Sequence, residues 1–558
     1  MVIPLAGGRG FNVSAAESTV PTALSSEATA AAIDELFAES WAANAITPAA
    51  VADDAELVRR TYLDLAGRIP SVHEVRAYLA TDDPDKHRRL VDELVSGPEF
   101  AAHLASQWRE ILLPGAVNEL RLRASVPQFE AWLRLRFAAN TPYDRIVRDL
   151  LTATSADSPP IMFTPNVIGR PTPLVFYLAA EQKPEELAAA ASRAFLGLRL
   201  ECAQCHDHPF ADWKQEDFWA TAAFFRNGEA SADEAPAPGS ITLAEDFSRA
   251  AIEILDTGRS AEPRFLDGST PAWQAGRGNR TTFADWLTDE ANVYFARAAA
   301  NRLWAQLLGK GLIEPVDSLD QGEALAPSGV LTLLAEQLKA HDLDLQFLVR
   351  TITATRVYHL SSAAAETNDP GTATTDAPTI DAQTTEAPAS DADAPSPQQF
   401  SRYLVRSMSA EQLYESLLQA TGIPLSSEDP SDFNLTSVGP RAEFIRQFSI
   451  DASRRDGAEM SILHALSLMN GSLVAGATDL DNSYTLVSVA EAPFLDAEQR
   501  ISTLFLATLS RPPSDDELAH FGTYVAARSG EPGSDDNPAA YGDVLWALIN
   551  SAEFALLH

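Results

Sequence analysis

The sequence predicts a mainly α, multi-helical fold: two packed helical blocks with few short strands and a disordered acidic insertion. Three observations carry this. Apolar residues recur at helical spacing from Ala30 onward, helix-start signatures precede several of those runs, and residues 361–399 lack the side chains a core requires. At 558 residues and 46% hydrophobic content the chain has room for roughly two to four domains. Its formal charge of −37 repels phosphate backbones and argues against nucleic acid as a partner. No apolar run approaches the roughly 18 residues of a membrane span, so the expectation is a soluble chain without a transmembrane segment.

Residues 1–29 are small and polar and read as a disordered leader. Its start, "MVIPLAGGRGFNVSAAEST", lacks the charged region and apolar stretch of a secretory signal. A first helical domain is expected over 30–228. In it Leu57, Val58, Thr61, Tyr62 and Leu65 mark one helix face, which Gly67 ends. Ser71 and Glu74 form a capping box for the next helix, and Asp83-Pro84 opens a third with Leu90, Val91, Leu94 and Val95 inward. Residues 229–278 read as a mixed linker, with short strands around "SITL".

A second helical domain is expected over 279–558. "TTFADWL" starts with a capping threonine, "NVYFARAAANRLWAQLLGKG" is strongly amphipathic, and further helices run to Leu360. Residues 361–399 contain no lysine or arginine and almost no large apolar side chain, and read as a disordered insertion. Helices resume with Ser409 and Gln412 as another capping box. The segment "TLFLATLSRPPSDDELAHF" (503–521) lies over "RTYLDLAGRIPSVHEVRAY" (60–78), with Arg68/Arg511, Ser71/Ser514 and Glu74/Glu517 in register; "LVSGPEF" (94–100) is echoed by "LINSAEF" (548–554). This is one helix-hairpin module used twice, and its expected role is structural. Two copies are too few for a solenoid.

The chemistry is concentrated in "LECAQCHDHPFADW" (200–213), which holds both cysteines of the chain. A helix from about Pro184 delivers the chain to Cys202, Pro209 stops it from running on, and a helix over 214–225 follows. Phe210, Trp213 and Trp219 flank the turn. Four readings stand open. Cys202, Cys205 and His206 spell C-x-x-C-H, the attachment pattern of c-type haem, in which two thiols on one turn reach two vinyl groups and the adjacent imidazole meets the iron. A second axial ligand would come from Met162, Met408, Met460, Met469, His103 or His464, or the iron would stay five-coordinate. Alternatively Cys202, Cys205, His206 and His208 could ligate zinc or iron, although four ligands so close in sequence are crowded. A redox disulfide needs only the two cysteines. The fourth reading is two thiols and a histidine with no cofactor. His208 is expected to bond Asp207, Asp212 or backbone.

"AFLGLRLECAQCHDHPFADWKQEDFWATAAFF" resembles the core of the planctomycete-specific cytochrome-C-like domain (PSCyt type), and "AELVRRTYLDLAGRIPSVHEVRAYLATDDPDKHRRLVDELVSGPEF" is similar to its N-terminal part. "RGNRTTFADWLTDEANVYFARAAANRLWAQLLGKGLIEPVDSLDQ", "FLVRTITATRVYHLSS", "RSMSAEQLYESLLQATG" and "LATLSRPPSDDEL" (506–518) resemble the planctomycete-specific PSD domain that usually follows it. Both are domains of unknown function. The resemblance implies an exported protein of the periplasm or cell envelope, in a lineage rich in extracellular polysaccharide breakdown, with a redox or envelope protein as partner. It supplies no reaction, and its "cytochrome" rests on the same C-x-x-C-H. Asp285, Trp286, Asn301, Arg302, Trp304, Pro315 and Asp317 match the pattern of the second domain, with Arg302 and Asp317 expected either to line a groove or to pair with each other. The leading expectation is covalent haem for electron transfer or redox sensing. The alternative is a binding or assembly protein stapled by a metal or disulfide and linked to polysaccharide processing.

Overall fold

The computed structural model describes residues 22–156, 170–228, 242–255, 257–363, 399–423, 440–448, 469, 471, 474, 476, 478–528 and 537–558. Helices make up almost all of its regular structure, joined by three two-stranded antiparallel pairings: Ile252–Ile254 with Arg259–Ala261, Ile313–Glu314 with Glu323–Ala324, and Arg406–Ser407 with Leu556–Leu557. Of the strands expected around "SITL", Ser240 and Ile241 lie outside the described residues; Thr242 and Leu243 are irregular, and a described hairpin starts ten residues later. No helix among the described residues is long and apolar enough to cross a membrane.

The first helix, Ser26–Ala43, begins inside the expected leader. Ser25 caps it by accepting from Ala28 N, and Thr29, Ala30, Ile33, Phe37 and Trp41 are buried along it. Apolar residues at that spacing anchor a helix even when the stretch around them is small and polar. Most of the leader and residues 364–398 of the insertion lie outside the described residues. Both edges of the insertion are fastened: Ser361 N donates to Ala50 O, and the Trp41 indole donates to Gln399 O.

Two hydrophobic cores organise the helices, but they do not divide at the expected 229–278 linker. One runs from Ile33 to Tyr403, and includes helices of both expected domains and Ile254, Ala261, Phe265 and Leu266 between them. The other holds Met408 to Leu557 together with Leu63 and Ile69. The helix Asp54–Leu65 therefore packs into both. Composition marked 229–278 as a linker because it is polar, but a few well-placed apolar residues suffice to draw it into a core.

The repeated module is real at the level of individual atoms. Arg68 forks to Glu74 (2.9 and 3.0 Å) and to Glu99 (3.0 and 3.0 Å), and Ser71 N donates to Glu74. Arg511 forks to Glu517 (2.8 and 2.9 Å) and to Glu553 (2.6 and 2.7 Å), and Ser514 N donates to Glu517. Each guanidinium also faces an aromatic ring at the equivalent place, Tyr62 at 5.2 Å and Phe505 at 5.6 Å. These pairs fix the hairpin angle, because a planar fork satisfied on two edges leaves little freedom. We expect Arg511→Ala to lower stability by about 1–2 kcal/mol, discounted because the pairs are partly exposed. Lysine should recover less than half, since it cannot serve two carboxylates bidentately. Urea unfolding measures both, and equal midpoints for arginine and lysine would remove the fork from the explanation.

The modules meet at a buried polar junction. Arg59 donates to Thr508 O (2.9 Å) and Phe554 O (2.8 Å) of the second copy. Arg60 donates to Tyr358 O and Leu360 O and pairs with Glu56 at 2.6 Å. Asp64 accepts from Arg406, from Tyr358 Oη (2.9 Å) and from Tyr403 Oη (3.2 Å). Although Asp64 stands in the first hairpin module, its partners lie about 300 residues away in sequence. Burial pushes its carboxyl up from the ordinary value, while Arg406, Tyr358 and Arg60 pull it down.

Candidate functional site

The helix Pro184–Ala191 continues into a π-turn, Ser192–Leu196, and stops at Gly197, whose φ of +64° is left-handed. The chain then runs irregularly to Leu200 and enters a 3-10 turn at Glu201–Gln204. Gly197, rather than Pro209, therefore ends the helix, and it does not deliver Cys202 directly. A second helix, Gln215–Ala222, starts where expected and buries Phe218 and Trp219.

The turn is held from below. Ala203 is fully buried and anchors it in the first core. Gln215 Nε2 donates to Gln204 O (3.2 Å) and Cys205 O (2.9 Å), and Trp219 Nε1 donates to Gln204 O at 2.9 Å. Gln215 N donates to Asp207 Oδ1 at 3.0 Å, and the His208 amide donates to Trp213 O at 2.8 Å. Asp207 lies below its ordinary value because of that backbone bond and the facing Lys214. With its carbonyls bonded inward, the turn presents Cys202, Cys205 and His206 to solvent, all exposed, with both thiols free. Trp219 is 1% exposed and lies beneath the turn, while Phe210 beside it is 86% exposed.

The two histidines differ. His206 Nδ1 lies 2.7 Å from Asp207 O; a carbonyl can only accept, so Nδ1 donates there, and in the neutral ring the lone pair is left on Nε2. His208 Nδ1 accepts from the amides of Phe210 (3.2 Å) and Ala211 (2.9 Å), the expected backbone partner, so its own lone pair is taken. In the neutral ring a nitrogen lone pair is therefore left free at His206 and not at His208. Among the described residues, no group of three or more His, Cys, Asp or Glu is gathered to hold an ion, so the four residues of the turn do not converge on one point.

Of the proposed second axial ligands, Met162, Met460 and His464 lie outside the described residues. His103 is buried against Gly67, its Nε2 accepting from Gln107 at 2.9 Å, and Met408 is buried in the other core. Met469 is 41% exposed. Neither His103 nor Met408 is seated at the turn.

The residues matching the second domain's pattern are chiefly structural. Asp285 pairs with Arg148 and Arg277, Trp286 donates to Asp267 Oδ2, and Asn301 braces Ile313 through both its amide ends. Trp304 is buried and stacks on Phe37. The helix Asn279–Leu287 has Gly278 at its N-cap and starts two residues before the threonine pair, and Glu245, accepting from Thr281 N, satisfies its first turn instead of a threonine cap. Arg302 and Asp317 neither form a groove together nor pair. Arg302 donates to Arg193 O and Asp317 pairs with Arg199, so both hold the segment that enters the cysteine turn. Asp320 and Leu319, which sequence reading passed over, hold it as well: Asp320 accepts from Trp213 Nε1 at 2.8 Å, and Leu319 N donates to Gly197 O at 2.9 Å. Contacts about 100 residues apart leave no periodic signal by which to find them.

Residues 32–230 match the model of the family PSCyt2, described as a protein of unknown function (DUF1549), and residues 279–437 match that of PSD1, described as a protein of unknown function (DUF1553). No curated protein and no solved structure matches the chain. The resemblance read from the sequence holds for two segments and for their order, a PSCyt2 match followed by a PSD1 match, while the resembling stretch 506–518 lies beyond both matches.

Proposed function

We propose that residues 200–213 bind a c-type haem covalently, for electron transfer or redox sensing in the periplasm or cell envelope. One observation carries the reading: Cys202, Cys205 and His206 stand exposed together on one pinned turn, with both sulfurs free and His206 Nδ1 engaged by a carbonyl, so that Nε2 is the nitrogen left for a ligand. The Nδ1–carbonyl bond is the kind of outer contact that orients a ligating imidazole and raises its basicity. These residues fit the group. Cys202 and Cys205 would each add S–H across a vinyl bond, sulfur to one carbon and hydrogen to the other, a step that needs reduced thiols and no oxidant. His206 Nε2 would coordinate the iron. When bound, such a group supplies one-electron oxidation and reduction, with another envelope protein as redox partner.

The test is expression with an added secretory leader in a host that matures c-type haem, followed by haem staining of denaturing gels and pyridine-haemochrome spectra. The wild-type chain should stain, and Cys202→Ser with Cys205→Ser should abolish staining. Absence of protein-bound haem in the wild type would overturn the proposal. A second reading rests on the same free, exposed thiols: a binding or assembly protein stapled through Cys202 and Cys205 by a disulfide, or by zinc or iron. Thiol counting and metal analysis on haem-free protein decide between those. Its link to polysaccharide processing rests on the family resemblance alone.

A further inference from the structure

The cysteine turn belongs to the first matched segment, yet a short loop of the second holds it at three places. Leu319 N donates to Gly197 O at 2.9 Å, and the Leu319 side chain sits where a Cβ on Gly197 would come within 2.9 Å. Asp317 pairs with Arg199 at 2.7 Å, three residues before Cys202. Asp320 accepts from the Trp213 indole at 2.8 Å, just beyond His208. Gly197 is thus doubly specified, by its left-handed φ and by the leucine seated against it. The polar contacts are partly exposed and individually weak. Their effect comes from location: two lie before the turn, one after it, and all three converge on four consecutive residues.

We infer that residues 317–320 clamp the cysteine turn, so that the site is assembled from both segments and Asp317, Leu319 and Asp320 are its positioning residues. The geometry points to a turn whose thiol presentation depends on the second segment, not on the Cys202–His206 sequence alone. The inference extends the function proposed above, and it can be tested without haem.

The experiment uses the full-length, reduced, haem-free chain and iodoacetamide as probe. Two quantities are read: alkylation rates of Cys202 and Cys205 across pH, and hydrogen exchange of the amides over 201–208. Asp317→Ala/Asp320→Ala and Leu319→Ala should each speed exchange over 201–208 by about tenfold, the loss of one to two hydrogen bonds or a packed leucine. They should also change the alkylation rates at least threefold, while exchange in the helices of both cores stays put. Asp320→Asn, which keeps an acceptor for Trp213, should behave like wild type. Asp543→Ala, which removes a distant pair with Arg528, should leave the turn unchanged. Wild-type exchange and alkylation in both clamp variants would overturn the inference, as would an equal effect from Asp543→Ala. A wild-type chain that takes no haem would remove the redox reading and leave this result standing.

Discussion

Replacing Asp64 with alanine is expected to remove about 3–5 kcal/mol of stability, because it strands charge that folding has already taken out of water. Asp64 is 5% exposed, and Arg406, Tyr358 and Tyr403 all aim donors at it. Arg60, fully buried, lies 3.6 Å over the Tyr403 ring. Without the carboxylate, Arg406 loses its anion and both hydroxyls lose an acceptor, while Tyr403 Oη keeps the Leu307 carbonyl. The loss should reach both cores, since Arg406 stands in the strand that pairs with Leu556–Leu557 at the far end of the chain. Urea unfolding followed by tryptophan fluorescence gives the number. A cost below about 1 kcal/mol would mean that water enters the junction and replaces the carboxylate.

Acid should unfold the protein earlier than its carboxylates alone would dictate. Burial drives His87 down to about 3 and His103 down to about 4. His87 Nε2 faces Thr61 Oγ1, whose own proton goes to Leu57 O, so the ring is a donor there. His103 Nε2 accepts from Gln107, and a proton placed on it would oppose that amide. The sign follows from the lowered values: between the unfolded value of 6.5 and the folded ones, the unfolded chain binds more protons, so stability is full above 6.5 and falls with pH. At pH 4 each histidine withdraws about 3 kcal/mol. Glu517, drawn to about 2 chiefly by Arg511, adds to the loss below 4.5. Asp34, raised to about 6 by burial, works in the opposite direction, as does Asp64. In His87→Gln/His103→Gln, the fall in unfolding free energy between pH 7 and pH 4 should shrink by more than half. An unchanged fall would place the acid sensitivity elsewhere.

Local patterning along the chain specified the helical architecture, the capping boxes at Ser71 and Ser409, the duplicated hairpin and the placing of the cysteine turn between two helices, but not the exposure of its thiols. Each of these is written in a window of a few residues, through apolar spacing, a cap or a repeat. The register of Arg68/Arg511 even carried over to matching ion pairs, because both partners of each arginine are themselves part of the repeat. Only the tertiary structure decided where the cores divide, what Asp64 is for, and that residues 317–320 close on the cysteine turn. Those contacts join positions 100 to 500 residues apart, as Arg60 with the carbonyl of His558 does. A buried charge is satisfied by whichever donors the packing brings to it, and packing is settled by the whole chain at once.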